Sequence, residues 1–142
     1  MLNLIPVEID KGEHMHQSCF PTALAVHWGV TPAEAAEHIR QTLGLSSKIF
    51  HLLQPTAAMC HRAISKLVPS AERVNMTLTS DEMLWREIEE GGTWIVCHHF
   101  ARTPHVAFVK DGKYFDAYEA CIDTDRTDRI FWAYQIPDGS WL

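Results

Sequence analysis

The sequence predicts an α+β fold, in which N-terminal helices pack on a C-terminal antiparallel β-sheet. Three observations indicate this order. Apolar residues recur at helical spacing, between recognisable cap residues, as far as Glu90. From Thr93 onward the apolar residues form short strand-like runs, and Asp111-Gly112 is a strong hairpin signal between two of them. Helices followed by strands are typical of the α+β class.

Start and stop signals predict four helices. Proline fits a helix only in its first turn, so Pro21 indicates that a helix begins just before it. Gly29 is the stop signal of this helix. The next helix begins at a capping box, Thr31-Pro-Ala-Glu, and stops at Gly44. Two later segments have apolar residues at helical spacing. The predicted helices cover residues 19–28, 31–44, 55–67 and 80–90.

The second half predicts strands. The run TWIVC, which starts at Thr93, has the composition of a buried central strand. The runs HVAFVK and KYFDAY flank the Asp-Gly turn, and RIFWAYQI forms the last strand. Residues 73–78 alternate only in part between apolar and polar, so the strand predicted there has weaker support. The predicted strands cover residues 73–78, 93–100, 105–110, 113–118 and 129–136.

The bulk composition limits the class of protein. The chain has 142 residues, 46% apolar and 21% charged, which predicts one globular domain over residues 1–142. A net charge of -6 with 12 scattered basic residues argues against nucleic acid as a partner. No signal peptide or membrane-length apolar run is seen, so a cytoplasmic protein without membrane contact is expected. The four cysteines lack a CxxC motif, which favours free thiols, while two disulfides remain an alternative.

The Asp-Gly hairpin predicts that two polar side chains lie on one face of the sheet. A two-residue turn makes Lys110 and Lys113 the closing pair. Counting outward, His105 and Asp116 become diagonal neighbours, about 7–8 Å apart at the backbone. A hydrogen bond between them would fix the tautomer of the imidazole and stabilise its charged form, as in a catalytic triad. The alternative is a packed or surface histidine.

Cys19 is the strongest candidate nucleophile among the cysteines. It lies where the first predicted helix starts, and a helix N-terminus favours a thiolate. Cys60 and Cys97 lie in the middle of a helix and of a buried strand, far from such a terminus. Cys121 follows the hairpin in an acidic loop, which disfavours a thiolate. The alternative for Cys19 is a buried structural cysteine.

The segments QSCFPTALA and GGTWIVCHHF-ARTP-HVAFV-KDG-KYFDAY resemble papain-like cysteine peptidases, more narrowly the C39-like, or bacteriocin-leader-peptidase-like, branch. The resemblance covers residues 14–29 and 91–118. It implies a papain-like fold with the nucleophile on the first helix. It also implies that Cys19 is the nucleophile, His105 the general base and Asp116 the orienting acid.

The oxyanion position departs from the pattern of this family. The oxyanion glutamine of the family usually stands further before the cysteine, at the position that Glu13 occupies here. Gln17, two residues before Cys19, is the predicted replacement, together with backbone amides. His14 and His16 are alternatives for this role, and Gln17 as a solvent-exposed loop residue is another.

The resemblance implies a thiol hydrolase that cleaves a peptide or isopeptide amide of a protein or peptide substrate, with no cofactor. Two alternatives use the same scaffold. The same triad can transfer the acyl group to an amine, as an acyl transferase or transglutaminase-like enzyme does. A non-catalytic binding or inhibitory module, of phage or mobile-element origin, is the other, with Tyr118, Trp132 and Trp141 available for an interface.

A metal site is the third alternative, and we expect none. The potential ligands are His14 with His16, Cys60 with His61, and Cys97 with His98 and His99. None of these groups has zinc-finger spacing. His98 and His99 are adjacent in a predicted strand, so their side chains should point to opposite faces of the sheet and cannot share one ion.

Overall fold

The structure, a computed structural model, describes residues 2–6, 19–44, 56–100, 103–116 and 128–137. These residues form four helices and six strands, which confirms the α+β class. The elements in chain order are β1 (Asn3–Pro6), α1 (Cys19–Trp28), α2 (Pro32–Leu43), α3 (Ala57–Leu67), β2 (Glu72–Arg73), α4 (Asp81–Glu90), β3 (Thr93–Phe100), β4 (Thr103–Lys110), β5 (Lys113–Asp116) and β6 (Ile130–Ile136).

The predicted helix ends are confirmed where cap residues specified them. The Thr31 hydroxyl accepts a hydrogen bond from the backbone N–H of Glu34 at 3.2 Å, and Gly44 ends α2 in the left-handed region. Thr56 and Ser80 cap α3 and α4 in the same way. The predicted start of the third helix at Pro55 lies outside the described residues. Local side-chain chemistry therefore sets these boundaries.

The strands form one sheet in the order β1-β5-β4-β3-β6-β2. All neighbours are antiparallel except β1, which pairs parallel with β5 and was not predicted. The hairpin register is as predicted, with Lys110 opposite Lys113 and Val109 opposite Tyr114. Asp111 and Gly112 both have positive φ, at 51° and 76°, as a two-residue hairpin turn requires.

The strand predicted over residues 73–78 is wrong for most of its length. The strand β2 covers Glu72–Arg73 and pairs with β6, and the last backbone bond to β6 is from the N–H of Val74 to the carbonyl oxygen of Ala133. The Asn75 side chain accepts a hydrogen bond from the backbone N–H of Thr77 at 3.0 Å. An asparagine that bonds the backbone two residues ahead stabilises a turn in competition with a strand. This local bond ends the pairing.

Helices cover both faces of the sheet. We call the side that carries Ile95, Cys97, Val106 and Phe108 the α1 face, because α1, α2 and α3 pack there. The opposite side, which carries Trp94, Val96, Ala107 and Val109, is the α4 face. Residues 94–98 are all buried, as predicted for a central strand, because both sides of β3 are covered.

Within the described part of the chain, no helix has both the length and the apolarity needed to cross a membrane.

Candidate active site

Cys19 is the first residue of α1 and packs on the α1 face of the sheet. The backbone N–H groups of a first helical turn lack intrahelical acceptors, and the helix dipole favours negative charge beside them. The first turn of α1 contains no acidic side chain that would oppose a thiolate. The Cys19 side chain is 5% exposed. A reactant must therefore approach its sulfur through an opening in the packing.

A pocket of about 350 Å³ provides this opening. Exposed residues of α3 and β4 form part of its wall, so it reaches the surface. Ten described residues line it: Cys19, Phe20, Thr56, Ala57, Cys60, Cys97, Pro104, Val106, Phe131 and Trp132. None of them carries a charged group. The pocket is therefore an apolar chamber with three thiols in its wall.

The other two thiols of this chamber are held protonated. Burial raises the pKa of Cys60 far above its usual range, and the nearby thiols Cys19 and Cys97 add to the effect. Burial, with Cys19 as a second cause, raises the pKa of Cys97 to about 12. Both groups are neutral thiols near pH 7, which leaves Cys19 as the nucleophile candidate of the pocket. All three are free thiols, so the four cysteines do not form two disulfides.

His105 is not on the same side of the sheet as Cys19. Side chains alternate along a strand, and Val106 belongs to the α1 face, so its neighbour His105 faces α4. The His105 ring lies against His98, directly opposite on β3, with the ring centroids 5.7 Å apart. The structure therefore brings His105 together with His98 and separates it from the predicted nucleophile by the thickness of the sheet.

The remaining predicted site residues are only partly described. Asp116 ends β5, two residues after Tyr114, and its side chain lies outside the described part of the structure. Its hydrogen bond to His105 stays a prediction. Gln17, the predicted oxyanion donor, also lies outside the described residues, as do His14 and His16.

The sequence reasoning missed a buried hydrogen-bonded group on the α4 face. Nδ1 of His98 lies 2.5 Å from Oδ2 of Asp128, and Nε2 lies 2.7 Å from the hydroxyl of Tyr114. A carboxylate beside Nδ1 favours a proton on that nitrogen, and in that neutral tautomer Nε2 accepts a hydrogen bond from the O–H of Tyr114. The indole of Trp85 donates to the carbonyl oxygen of Asp128 at 2.8 Å and its ring packs on His98.

One signal could have found part of this group. The predicted strand ends, Phe100 and His105, would place His98 opposite Ala107, which is two residues from its actual partner His105 but on the same face of the sheet. No local signal points to Asp128, which is 30 residues away from His98 in the chain. Its approach depends on the path of the segment before β6.

Two of the histidines on the α1 side of the molecule contact residues that line the pocket, His99 through Phe131 and His61 through Trp132. His99 is exposed, pairs with Pro104 and has its ring centroid 6.3 Å from that of Phe131. Pro104 and Phe131 both line the pocket, so His99 lies at its rim. His61 packs on Trp132 and its Nδ1 lies 2.8 Å from the hydroxyl of Tyr134. Burial lowers the pKa of His61, with Arg73 as a second cause.

The prediction that His98 and His99 point to opposite faces is confirmed, since His98 is buried under α4 and His99 contacts Phe131 on the other side. Among the residues that the structure describes, no three His, Cys, Asp or Glu side chains lie close enough to hold a metal ion.

Comparison with known proteins yields no relative: no family model, no curated protein and no solved structure matches the chain.

Proposed function

We propose that this protein is a cysteine-dependent hydrolase that cleaves a peptide or isopeptide amide, with Cys19 as its nucleophile. The observation that carries the proposal is the position of Cys19 at the first turn of α1 and in the wall of a pocket that reaches the surface. A papain-like arrangement is part of the proposal. It is supported by the sequence resemblance and by the packing of α1 on the antiparallel strand β4.

The chemistry follows that of thiol hydrolases. The Cys19 thiolate attacks the amide carbonyl, so an S–C bond forms and the carbonyl oxygen gains negative charge. Backbone N–H groups of the first turn of α1 are available to hold this oxyanion. The C–N bond then breaks and the amine leaves with a proton from the general acid. Water hydrolyses the thioester and restores the thiol, whereas an amine in place of water completes the alternative acyl transfer.

Two histidines compete for the role of proton acceptor. The resemblance assigns it to His105, but a proton cannot pass directly from Cys19 to a ring on the other side of the sheet. His99 lies at the rim of the pocket that Cys19 lines, on the same side of the sheet. We therefore assign the proton transfer to His99, because it lies on the same side of the sheet as the Cys19 sulfur.

The test measures the reaction of Cys19 with iodoacetamide across pH, together with cleavage of a library of fluorogenic peptide amides. We expect Cys19 in the native protein to be alkylated at pH 7 faster than a thiol in an unstructured peptide. The variant Cys19→Ala should lose cleavage by at least ~10³-fold, as removal of a catalytic nucleophile does. Cys60→Ala is the matched control, because it removes a thiol from the same pocket and should retain cleavage.

The same assay distinguishes the two bases. His99→Ala should slow alkylation of Cys19 near pH 7. At high pH the rates of this variant and of the unsubstituted protein should become equal, because the thiolate then forms without a base. His105→Ala should leave this pH profile in place. The reverse result would assign the base to His105. An alkylation rate for Cys19 equal to that of the peptide thiol would refute the hydrolase, and a biological effect that survives Cys19→Ala would favour the non-catalytic binder.

A further inference from the structure

We infer that the pocket beside Cys19 selects substrates by one bulky, uncharged, apolar side chain adjacent to the amide that is attacked. This inference rests on the proposed function, because it names the substrate class of the same site. The evidence is the composition, size and surroundings of the pocket.

The wall of the pocket is apolar on all of its described sides. Three aromatic rings, those of Phe20, Phe131 and Trp132, form much of it. Pro104 and Val106 come from β4, and Ala57 from the start of α3. A pocket with aromatic and aliphatic walls binds an apolar side chain most favourably, because burial of apolar surface is the main driving force of association.

The polar atoms of the wall are few and mostly engaged. The hydroxyl of Thr56 caps α3 and already accepts a hydrogen bond from the backbone N–H of Met59 at 3.2 Å. The thiols of Cys60 and Cys97 are neutral and are weak hydrogen-bond donors. A charged side chain that entered this chamber would lose its hydration without gaining an opposite charge from any described wall residue. The site should therefore reject lysine, arginine, aspartate and glutamate.

The size of the pocket sets the size of the side chain. An engineered protein cavity of about 150 Å³ takes one benzene molecule. A pocket of about 350 Å³ therefore has room for a phenylalanine- or tryptophan-sized group together with part of the adjoining backbone. A glycine or alanine at the same place would leave most of the pocket unfilled. Because one methylene in an apolar pocket already changes kcat/KM by about 10-fold or more, a phenyl group should exceed a methyl group by at least that factor.

Substitution of a residue at the mouth of the pocket can fill it without disturbing the core. Ala57 and Ala58 are consecutive exposed residues in the first turn of α3, and only Ala57 lines the pocket. Ala57→Trp should block the pocket, and Ala58→Trp is the matched control for the effect of a tryptophan in this turn. Far-UV circular dichroism would check that both variants fold.

The experiment measures rates of modification of Cys19 by three methanethiosulfonates that carry a benzyl, a carboxylate or an ammonium group. Each reagent forms a disulfide with the thiolate and releases methanesulfinate. Rates are normalised to a peptide thiol, and peptide mass mapping assigns the modified cysteine. We expect the benzyl reagent to modify Cys19 at least ~10-fold faster than either charged reagent. Ala57→Trp should abolish this preference and Ala58→Trp should keep it.

Cleavage of peptide amides that present Phe, Ala or Lys beside the scissile bond is measured in parallel. Equal normalised rates for the three reagents, or equal effects of the two tryptophan variants, would overturn the inference. A benzyl preference without any amide cleavage would support the pocket and refute the hydrolase. Cleavage that does not distinguish Phe from Lys would support the hydrolase and refute the pocket as a specificity site.

Discussion

The buried hydrogen bonds of His98 make a specific prediction about stability. His98 is fully buried, and it bonds a carboxylate on one side and the hydroxyl of Tyr114 on the other. Replacing it by alanine removes both bonds and leaves the Tyr114 hydroxyl, which is itself buried, without this partner. The carboxylate of Asp128 is 23% exposed and can recover water more easily.

The expected loss follows from these contacts. A hydrogen bond to a charged group contributes about 1.5–3 kcal/mol, and one between neutral groups contributes about 0.5–1.5 kcal/mol. Since water can reach Asp128, the lower half of the combined range applies, and His98→Ala should cost ~3 kcal/mol. Proteins of this kind have a free energy of unfolding of roughly 5–15 kcal/mol, so the loss is a large part of the total.

Equilibrium unfolding in urea, followed by tryptophan fluorescence, measures this loss. With a urea dependence of about 1–3 kcal/mol per molar, the midpoint should fall by roughly 1–3 M at unchanged slope. His99→Ala is the control, because it truncates the exposed neighbour in the same strand and should change the free energy by less than about 0.5 kcal/mol. Equal midpoints for the two variants would refute the role of the buried bonds.

Two further predictions concern the turn and the pH dependence. Gly112→Ala should destabilise the protein by more than Gly44→Ala in urea unfolding. Both positions have a left-handed φ, but only at Gly112 would an added Cβ come within 3.2 Å of a backbone atom, the Glu89 carbonyl oxygen; equal losses would show that this contact does not matter. Burial, with Lys110 as a second cause, lowers the pKa of His27 below its usual 6.5. The unfolded chain therefore binds the proton first, and stability should fall as pH drops below 6.5; His27→Gln should make that fall shallower, and an unchanged slope would contradict the assignment.

The helices and the hairpin could be predicted because their signals are local. Thr31, Pro32 and Gly44 act within a few residues of themselves, through a cap hydrogen bond, a fixed φ and a left-handed φ. The Asp111-Gly112 turn sets the register of β4 against β5 by the same kind of short-range geometry. The wrong strand prediction over residues 73–78 also has a local cause, because the turn at Asn75 competes with a weak strand pattern.

The amino-acid sequence alone determined which side chains share a strand. It also determined that His98 and His99 point to opposite faces of the sheet, because alternation along a strand is a property of the backbone. It did not determine which side of the sheet α1 covers. That choice depends on packing all the apolar faces together, and it put Cys19 beside Val106 while His105 turned toward α4. The meeting of His98 with Asp128 was also decided only by the tertiary structure, because their contact joins segments whose separation in the chain carries no local signal.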